Sequence, residues 1–166
     1  AVSITGEHQT NRSFLLGSPF EFTAGATNGV FRISALRFGQ EYLYRTDRQV
    51  LAFLSRFSVG FGDVLGSSTS SAVPGSADGR FFAWLGEAQW VRQVELLRTQ
   101  LIAKTTAQRT PDHVFPLEQL AVGGRYSVRS YREFALVRDN AVLASLEARI
   151  PVYSSGERHV LFVVPF

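Results

Sequence analysis

Apolar and polar side chains alternate with a period of two along most of the chain, which is typical of β-strands that bury or cover one face. In the clearest segment, 140–152, apolar residues from Val142 to Val152 occupy one face, and Glu147 and Arg149 lie on the other. Further alternating segments are found at 1–8, 30–45, 49–61, 80–92, 97–104 and 159–166. The pattern therefore predicts about seven strands and no helix. The apolar phase of segment 30–45 changes near Ala35 and Leu36, and a β-bulge is one explanation for that change.

The connections between these segments alternate strictly between long and short. The long connections are 9–29, 62–79 and 110–138, and the short ones lie near 46–47, 94–95 and 153–158. All long loops would therefore leave one end of an antiparallel sheet, an asymmetry typical of transmembrane β-barrels. A run such as 142–152 extends over about 34 Å, enough for a tilted strand to cross an apolar band about 25 Å tall.

The fold class that these features predict is all-β, an antiparallel transmembrane β-barrel. The alternative from the same pattern is a soluble β-sandwich or a small ligand-binding barrel whose apolar face is its core. In a membrane barrel the polar face of each strand lines the lumen. Six charged residues are therefore candidates to face the lumen: Arg56, Glu87, Arg98, Lys104, Glu147 and Arg149.

Composition argues against several other classes of function. The 166 residues carry a net charge of +3, and the cations are scattered along the chain rather than clustered, so nucleic acid is not an expected partner. Cysteine is absent. The histidines His8, His113 and His159 have no paired carboxylates at metal-ligand spacing. No nucleophile motif is present either, so we expect no catalytic residues, no metal and no cofactor.

The loop at 111–138 is unusually long for a compact domain, and loops of this size are usually functional. It contains Arg125, Arg129, Arg132 and Arg138 beside several aromatic residues. Such a loop gains by folding into a polar lumen, where arginine can pair with carboxylates such as those of Glu87 or Glu147. The alternative is an exposed surface loop.

Within this loop the run GGRYSVRSY at 123–131, followed by VRDNAVLASLEARIPV, closely resembles the two-partner secretion transporters of the haemolysin secretion/activation family. The stretches RFGQEY, DRQVLA and DGRFFAWLGEAQW resemble barrel strands of the same family, so the resemblance covers essentially the whole chain. It implies periplasmic POTRA domains followed by a sixteen-stranded outer-membrane barrel. Residues 1–166 are then expected to form part of the C-terminal barrel domain, with the POTRA domains and the final strands absent.

The resemblance also assigns roles within the loop. In this family the tip of the loop has the motif V-R-G-Y, folds back into the lumen and carries an arginine that secretion requires. Val128, Arg129 and Tyr131 match that motif, and Ser130 stands where the family normally has glycine. The expected partner of the arginine is an aspartate in a strand motif just past residue 166. The complete set of candidate loop residues is Gly123, Gly124, Arg125, Val128, Arg129, Ser130 and Tyr131.

By the same resemblance, the expected function is export of one large secreted partner protein, a haemolysin or an adhesin, across the bacterial outer membrane without nucleotide hydrolysis. The expected partners are this substrate protein and outer-membrane lipid. An outer-membrane protein insertase of the same superfamily is the alternative within this class of barrels.

Overall fold

The computed structural model of the chain describes residues 1–22, 26–69, 76–95, 98–123, 136–155 and 158–165. Seven long strands of these ranges form one antiparallel sheet, and two short hairpins lie in the connections. Within the described ranges, no helix is long and apolar enough to cross a membrane. The strands are β1 Val2–Arg12, β2 Phe14–Leu15, β3 Ser18–Pro19, β4 Val30–Arg45, β5 Gln49–Gly60, β6 Phe81–Gln93, β7 Gln100–Arg109, β8 Leu120–Val122, β9 Leu136–Arg138, β10 Ala141–Ser155 and β11 Arg158–Val163.

Each long strand pairs with the long strand that follows it, so the sheet is an up-and-down meander. The predicted set of seven strands is confirmed. The long connections 13–29, 61–80 and 110–140 leave one end of the sheet, which we call the loop rim. At the opposite end, the turn rim, β4 is followed by β5, β6 by β7 and β10 by β11. Long and short connections therefore alternate along the sequence because successive strands are joined at opposite ends of the sheet.

The two faces of the sheet differ sharply in chemistry. On one face, which we call the apolar face, large apolar side chains are left uncovered: Ile4 is 71% exposed, Val142 72% and Leu146 61%. A soluble β-sandwich would bury this face under a second sheet, and no second layer covers it within the described residues. The opposite face, the polar face, carries residues such as Glu7, Arg37 and Arg56. The soluble β-sandwich interpretation is therefore wrong.

A β-bulge is not the cause of the phase change near Ala35. Pairing of β4 with β1 and with β5 runs without a register shift through Ala35 and Leu36. The apolar phase changes because β4 carries apolar residues on the polar face where that face lies next to the loop rim. These residues, Phe31, Ile33 and Ala35, are buried there. From Leu36 onward, most of the large apolar side chains of β4 belong to the other face, namely Leu36, Phe38, Tyr42 and Tyr44. Register shifts occur instead between β10 and β11, near Pro151.

On the apolar face, the two tryptophans satisfy their N–H groups within the sheet. The indole Nε1 of Trp84 donates to Ser55 Oγ at 2.9 Å, and Nε1 of Trp90 lies 3.4 Å from Gln49 Oε1. A Cβ at position 86 would overlap the Trp84 ring, so Gly86 lets the ring lie flat along its own strand. Such internal partners suit a surface that meets hydrocarbon, where unpaired polar groups are costly.

Candidate functional site

The first part of the long loop, residues 110–123, folds onto the polar face beside the loop rim. Val114 and Phe115 are 1% and 0% exposed, and the Phe115 ring stacks on Phe31 with centroids 4.7 Å apart and planes 5° from parallel. Full burial of side chains of this size stabilises by about 1.5–3 kcal/mol each. The loop is thus held against the polar face of the sheet by a cluster that we call the apolar plug, formed by Phe31, Ile33, Ala35, Phe81, Ala83, Val114 and Phe115.

Directly beside the plug, Arg37 joins the loop to three neighbouring strands. Its Nη2 donates to Glu118 Oε1 at 2.6 Å and its Nη1 to Glu118 Oε2 at 2.9 Å, which makes a two-pronged ion pair. Its Nε donates to Glu7 Oε2 at 2.6 Å, and Nη1 also reaches Ser58 Oγ at 2.9 Å. Because Glu7, Arg37 and Ser58 lie on β1, β4 and β5, one guanidinium connects these strands to the loop.

This ion pair is well shielded from water. The side chain of Arg37 is 13% exposed and that of Glu118 is 6% exposed, whereas that of Glu7 is 32% exposed. Two carboxylates share one guanidinium, so removal of the cation would leave two like charges facing each other. An ion pair of this kind contributes mainly to the position of the loop, because separating its members leaves an uncompensated buried charge.

A second anchor lies at the other end of the loop, where Asp139 precedes β10. Its carboxylate accepts hydrogen bonds from Gln119 Nε2 at 2.8 Å and from the Val114 N–H at 3.3 Å, and it lies 3.0 Å from His113 Nδ1. The side-chain amide of Gln108 donates to the carbonyl oxygens of both Glu118 and Asp139. Partial burial opposes ionisation of Asp139, but the hydrogen bonds from Gln119, His113 and Val114 outweigh it and lower its pKa.

The Asp139 anchor should therefore weaken in acid. Because the pKa of Asp139 is lower when the loop is docked, its stabilising contribution is present above the ordinary value, about 4, and is lost as the pH falls through the lowered value. We expect the hydrogen-exchange protection of the Val114 backbone amide, corrected for intrinsic rates, to decrease as the pH falls below about 4. In Asp139→Asn the protection should be lower at neutral pH and insensitive to acid. An unchanged acid response in this variant would assign the effect to another group.

Several candidate lumen residues share the polar face with this site. Arg56 lines a cavity of about 790 Å³ together with Glu7, Arg37 and Glu118. The pairing register places the other candidates of β6, β7 and β10 on the same face: Glu87, Lys104, Glu147 and Arg149. The carboxylate-bearing residue Glu147 is 8% exposed, and with Arg149 it lines a smaller cavity of about 380 Å³.

The sixth candidate, Arg98, does not lie on a strand. It sits in the turn between β6 and β7 with a φ of 49°, and β7 begins only at Gln100. A left-handed residue interrupts the alternation of faces that the sequence pattern assumed. The backbone carbonyl of Arg98 accepts a hydrogen bond from Gln93 Nε2 at 2.9 Å, which closes the turn.

Of the candidate loop residues, Gly123 ends the described part of the loop and has a φ of 123°. Gly124, Arg125, Val128, Arg129, Ser130 and Tyr131 lie outside the described residues. The loop was expected to supply arginines to wall carboxylates. In the described part, the ion pair that anchors the loop has the opposite polarity, with Arg37 on the wall and Glu118 on the loop. No group of three or more His, Asp or Glu side chains in the described ranges is placed to hold a metal ion.

A meandering antiparallel sheet that is apolar and uncovered on one face, polar on the other, and overlaid there by an inward-folded loop is the wall of a transmembrane β-barrel. The chain belongs to the family of haemolysin secretion/activation proteins ShlB/FhaC/HecB, whose model matches residues 3–163. The resemblance to two-partner secretion transporters is therefore confirmed.

A solved structure supports the same fold. CdiB from Escherichia coli superimposes with a TM-score of 0.74 and 19% sequence identity, over 93% of this chain and 28% of CdiB. The chain thus spans less than a third of the length of this similar protein. None of the curated proteins matches the sequence.

Proposed function

We propose that the chain forms part of the wall of an outer-membrane transporter that exports one large partner protein through its lumen in two-partner secretion. The observation that carries the proposal is the loop at 110–123, which is fixed to the polar face by the Arg37–Glu118 ion pair and the apolar plug. Family membership supports secretion over membrane-protein insertion. The exposed apolar side chains of the other face suit contact with outer-membrane lipid.

In the proposed mechanism the partner, of haemolysin or adhesin type, crosses as an extended chain. The polar face carries both cations and anions, for example Arg56 and Glu87, so it offers many weak contacts rather than one tight site. The loop enters the lumen at the loop rim, where it controls passage by its position. Folding of the partner outside the cell supplies the drive, so neither catalysis nor a cofactor is needed.

The tip of the loop is the proposed functional element, with Arg129 at its centre. The guanidinium of arginine is always charged and presents its donors in a rigid fork, which suits it to hold a carboxylate inside a partly screened lumen. The neighbouring candidates Gly123, Gly124, Arg125 and Val128 would set the course of the chain into the tip. The role rests on the motif match at 128–131.

We expect Arg129→Ala and Arg129→Lys both to reduce partner export strongly in a full-length transporter carrying this sequence. Alanine removes the charge, and lysine keeps the charge but not the two-pronged geometry. Ser130→Gly should leave export unchanged or raise it, because glycine adopts positive φ without strain. The measurement is partner protein in the medium relative to barrel protein in the outer-membrane fraction.

Barrel levels serve as the control, since strand pairing does not depend on one loop side chain. Normal export by Arg129→Ala at a normal barrel level would remove the loop tip from the mechanism. If cells without the transporter exported the partner normally while their other outer-membrane barrels became scarce, the insertase function would replace the one proposed.

A further inference from the structure

In the described parts of the loop-rim connections, three turns contain two consecutive residues with positive φ, and two of these turns have leucine at the first position. These pairs are Leu16 with Gly17, Asn28 with Gly29, and Leu65 with Gly66. The residue that such a turn prefers is asparagine or aspartate, as at Asn28, because most side chains are strained in the left-handed region. The φ values of Leu16 and Leu65 are both 52°, so the two leucines are held in an unfavourable conformation.

The two leucines gain no packing that would offset this strain within the described residues. Leu16 is 99% exposed and Leu65 is 75% exposed. Each also has exposed apolar neighbours, such as Phe14 at 57% beside Leu16 and Val64 at 47% beside Leu65. Strained residues are usually retained for a function, and clustered exposed apolar groups mark interaction surfaces. We call this pair of leucines the rim leucines.

Lipid is a poor occupant for the rim leucines because polar side chains lie close to them. On β1, Ile4 belongs to the apolar face, and the eight residues from there to Arg12 extend about 27 Å toward the loop rim. The intervening side chains on that face include the polar His8 and Thr10. Next to Leu65, the ion pair between Arg80 and Asp63 has side chains 68% and 67% exposed, which is typical of an aqueous surface.

We propose that the rim leucines are docking points for the exported partner protein as it leaves the barrel. This inference rests on the proposed function. The loop that enters the lumen, 110–123, starts from the same rim, so a chain that leaves the lumen there emerges among these connections. A chain that crosses unfolded exposes apolar side chains, and leucine binds these without a fixed geometry. Contacts of this kind hold an emerging segment until it folds.

The test replaces both leucines by asparagine in a full-length transporter expressed with its partner. Asparagine suits positive φ, so Leu16→Asn and Leu65→Asn should fold at least as well as the parent. Loss of one leucine contact weakens binding by about tenfold. We therefore expect each single asparagine variant to export partner about tenfold more slowly at equal barrel levels, and the double variant about a hundredfold more slowly. Matched Leu16→Met and Leu65→Met variants keep an apolar side chain and should export normally.

Equal export rates for the parent and the double asparagine variant, at equal barrel levels, would overturn the docking role. So would a double variant that loses affinity for lipid vesicles in the absence of partner, since lipid would then be the occupant. A parent transporter that exports no partner at all contradicts the proposed function itself, and the docking role falls with it. Slow export by the asparagine variants with normal export by the methionine variants supports the inference.

Discussion

Arg37→Ala should release the loop at 110–123 from the polar face at a cost on the order of 3–5 kcal/mol, the range for removing one partner of a buried ion pair. The substitution leaves Glu7 and Glu118 without the cation that they share. The Glu118 side chain is 6% exposed, so water cannot take over the role of the guanidinium unless the loop moves away. The opened state should be read from the exchange of the Val114 amide hydrogen, which the Asp139 carboxylate accepts in the docked loop.

A double-mutant cycle separates the ion pair from the rest of the site. Glu118→Ala should cost less than Arg37→Ala, because Arg37 keeps its contact with Glu7. Removing both Arg37 and Glu118 should cost less than the sum of the single changes, since the charge left unpaired by either change is then absent. The matched control is Arg48→Ala, whose partner Glu95 lies 2.9 Å away in a pair 75% and 81% exposed, and which should cost below about 1 kcal/mol.

If Arg37→Ala and Arg48→Ala gave the same exchange rates in the loop, the ion pair would not hold it, and the apolar plug around Phe115 alone would be responsible. Release of the loop should also widen the lumen. We therefore expect a full-length transporter with Arg37→Ala to show a larger conductance in planar bilayers than the parent. An unchanged conductance together with faster exchange would mean that the described part of the loop does not obstruct the pore.

The strands and their faces were predictable because the environment constrains every second residue. β10 shows this most clearly: each side chain from Val142 to Val152 on the apolar face is apolar, and Ser145, Glu147 and Arg149 oppose them. Such a regular alternation identifies a strand and its two faces even when its neighbouring strands are not known. The rims were predictable for a similar reason, since loop length is a local property of the sequence.

The sequence interpretation failed at two places where the alternation of apolar and polar residues does not follow the two faces of the sheet. β4 is apolar on the polar face near the loop rim because the plug covers it, and the change of phase at Ala35 resembled a bulge. Arg98 was placed on a strand because its neighbours alternate, yet its positive φ belongs to a turn. In β4, packing against the loop changes the two-residue alternation, and at Arg98 a turn conformation interrupts it. Neither effect is visible in the order of residues along the sequence.

The Arg37–Glu118 pair was missed because its members are 81 residues apart in the sequence. Pairing β1 with β4 brings Glu7 close to Arg37, and only the folded loop brings Glu118 there. A signal was present nonetheless, since Arg37 is a cation in the polar phase of a strand and Glu118 follows a proline turn at Pro116–Glu118. The tip of the loop, by contrast, was assigned from the family motif, and its role stays a prediction.

Leu146→Arg should destabilise a full-length barrel by about 2–4 kcal/mol, the cost of a cation near the midplane of a barrel's lipid face. Leu146 is 61% exposed near the middle of the apolar run of β10, and its lateral neighbour across the sheet is the small Ala103. The new guanidinium would have no carboxylate beside it on that face and too great a depth to reach water. Unfolding by denaturant from lipid bilayers gives the free energy.

Two matched variants turn this measurement into a test of which face meets lipid. Leu146→Ala removes apolar area without adding charge, so it should cost clearly less than Leu146→Arg. Ser145→Arg places the same guanidinium one residue away on the polar face, where lumen water solvates it, and should also be mild. A silent Leu146→Arg with a strongly destabilising Ser145→Arg would reverse the assignment of inside and outside, and the loop at 110–123 would then lie on the lipid side of the wall.

The Arg37–Glu118 ion pair argues against that reversed arrangement. An ion pair that faces hydrocarbon would have to lose its hydration at a high cost in free energy. We therefore expect the polar face to line the lumen.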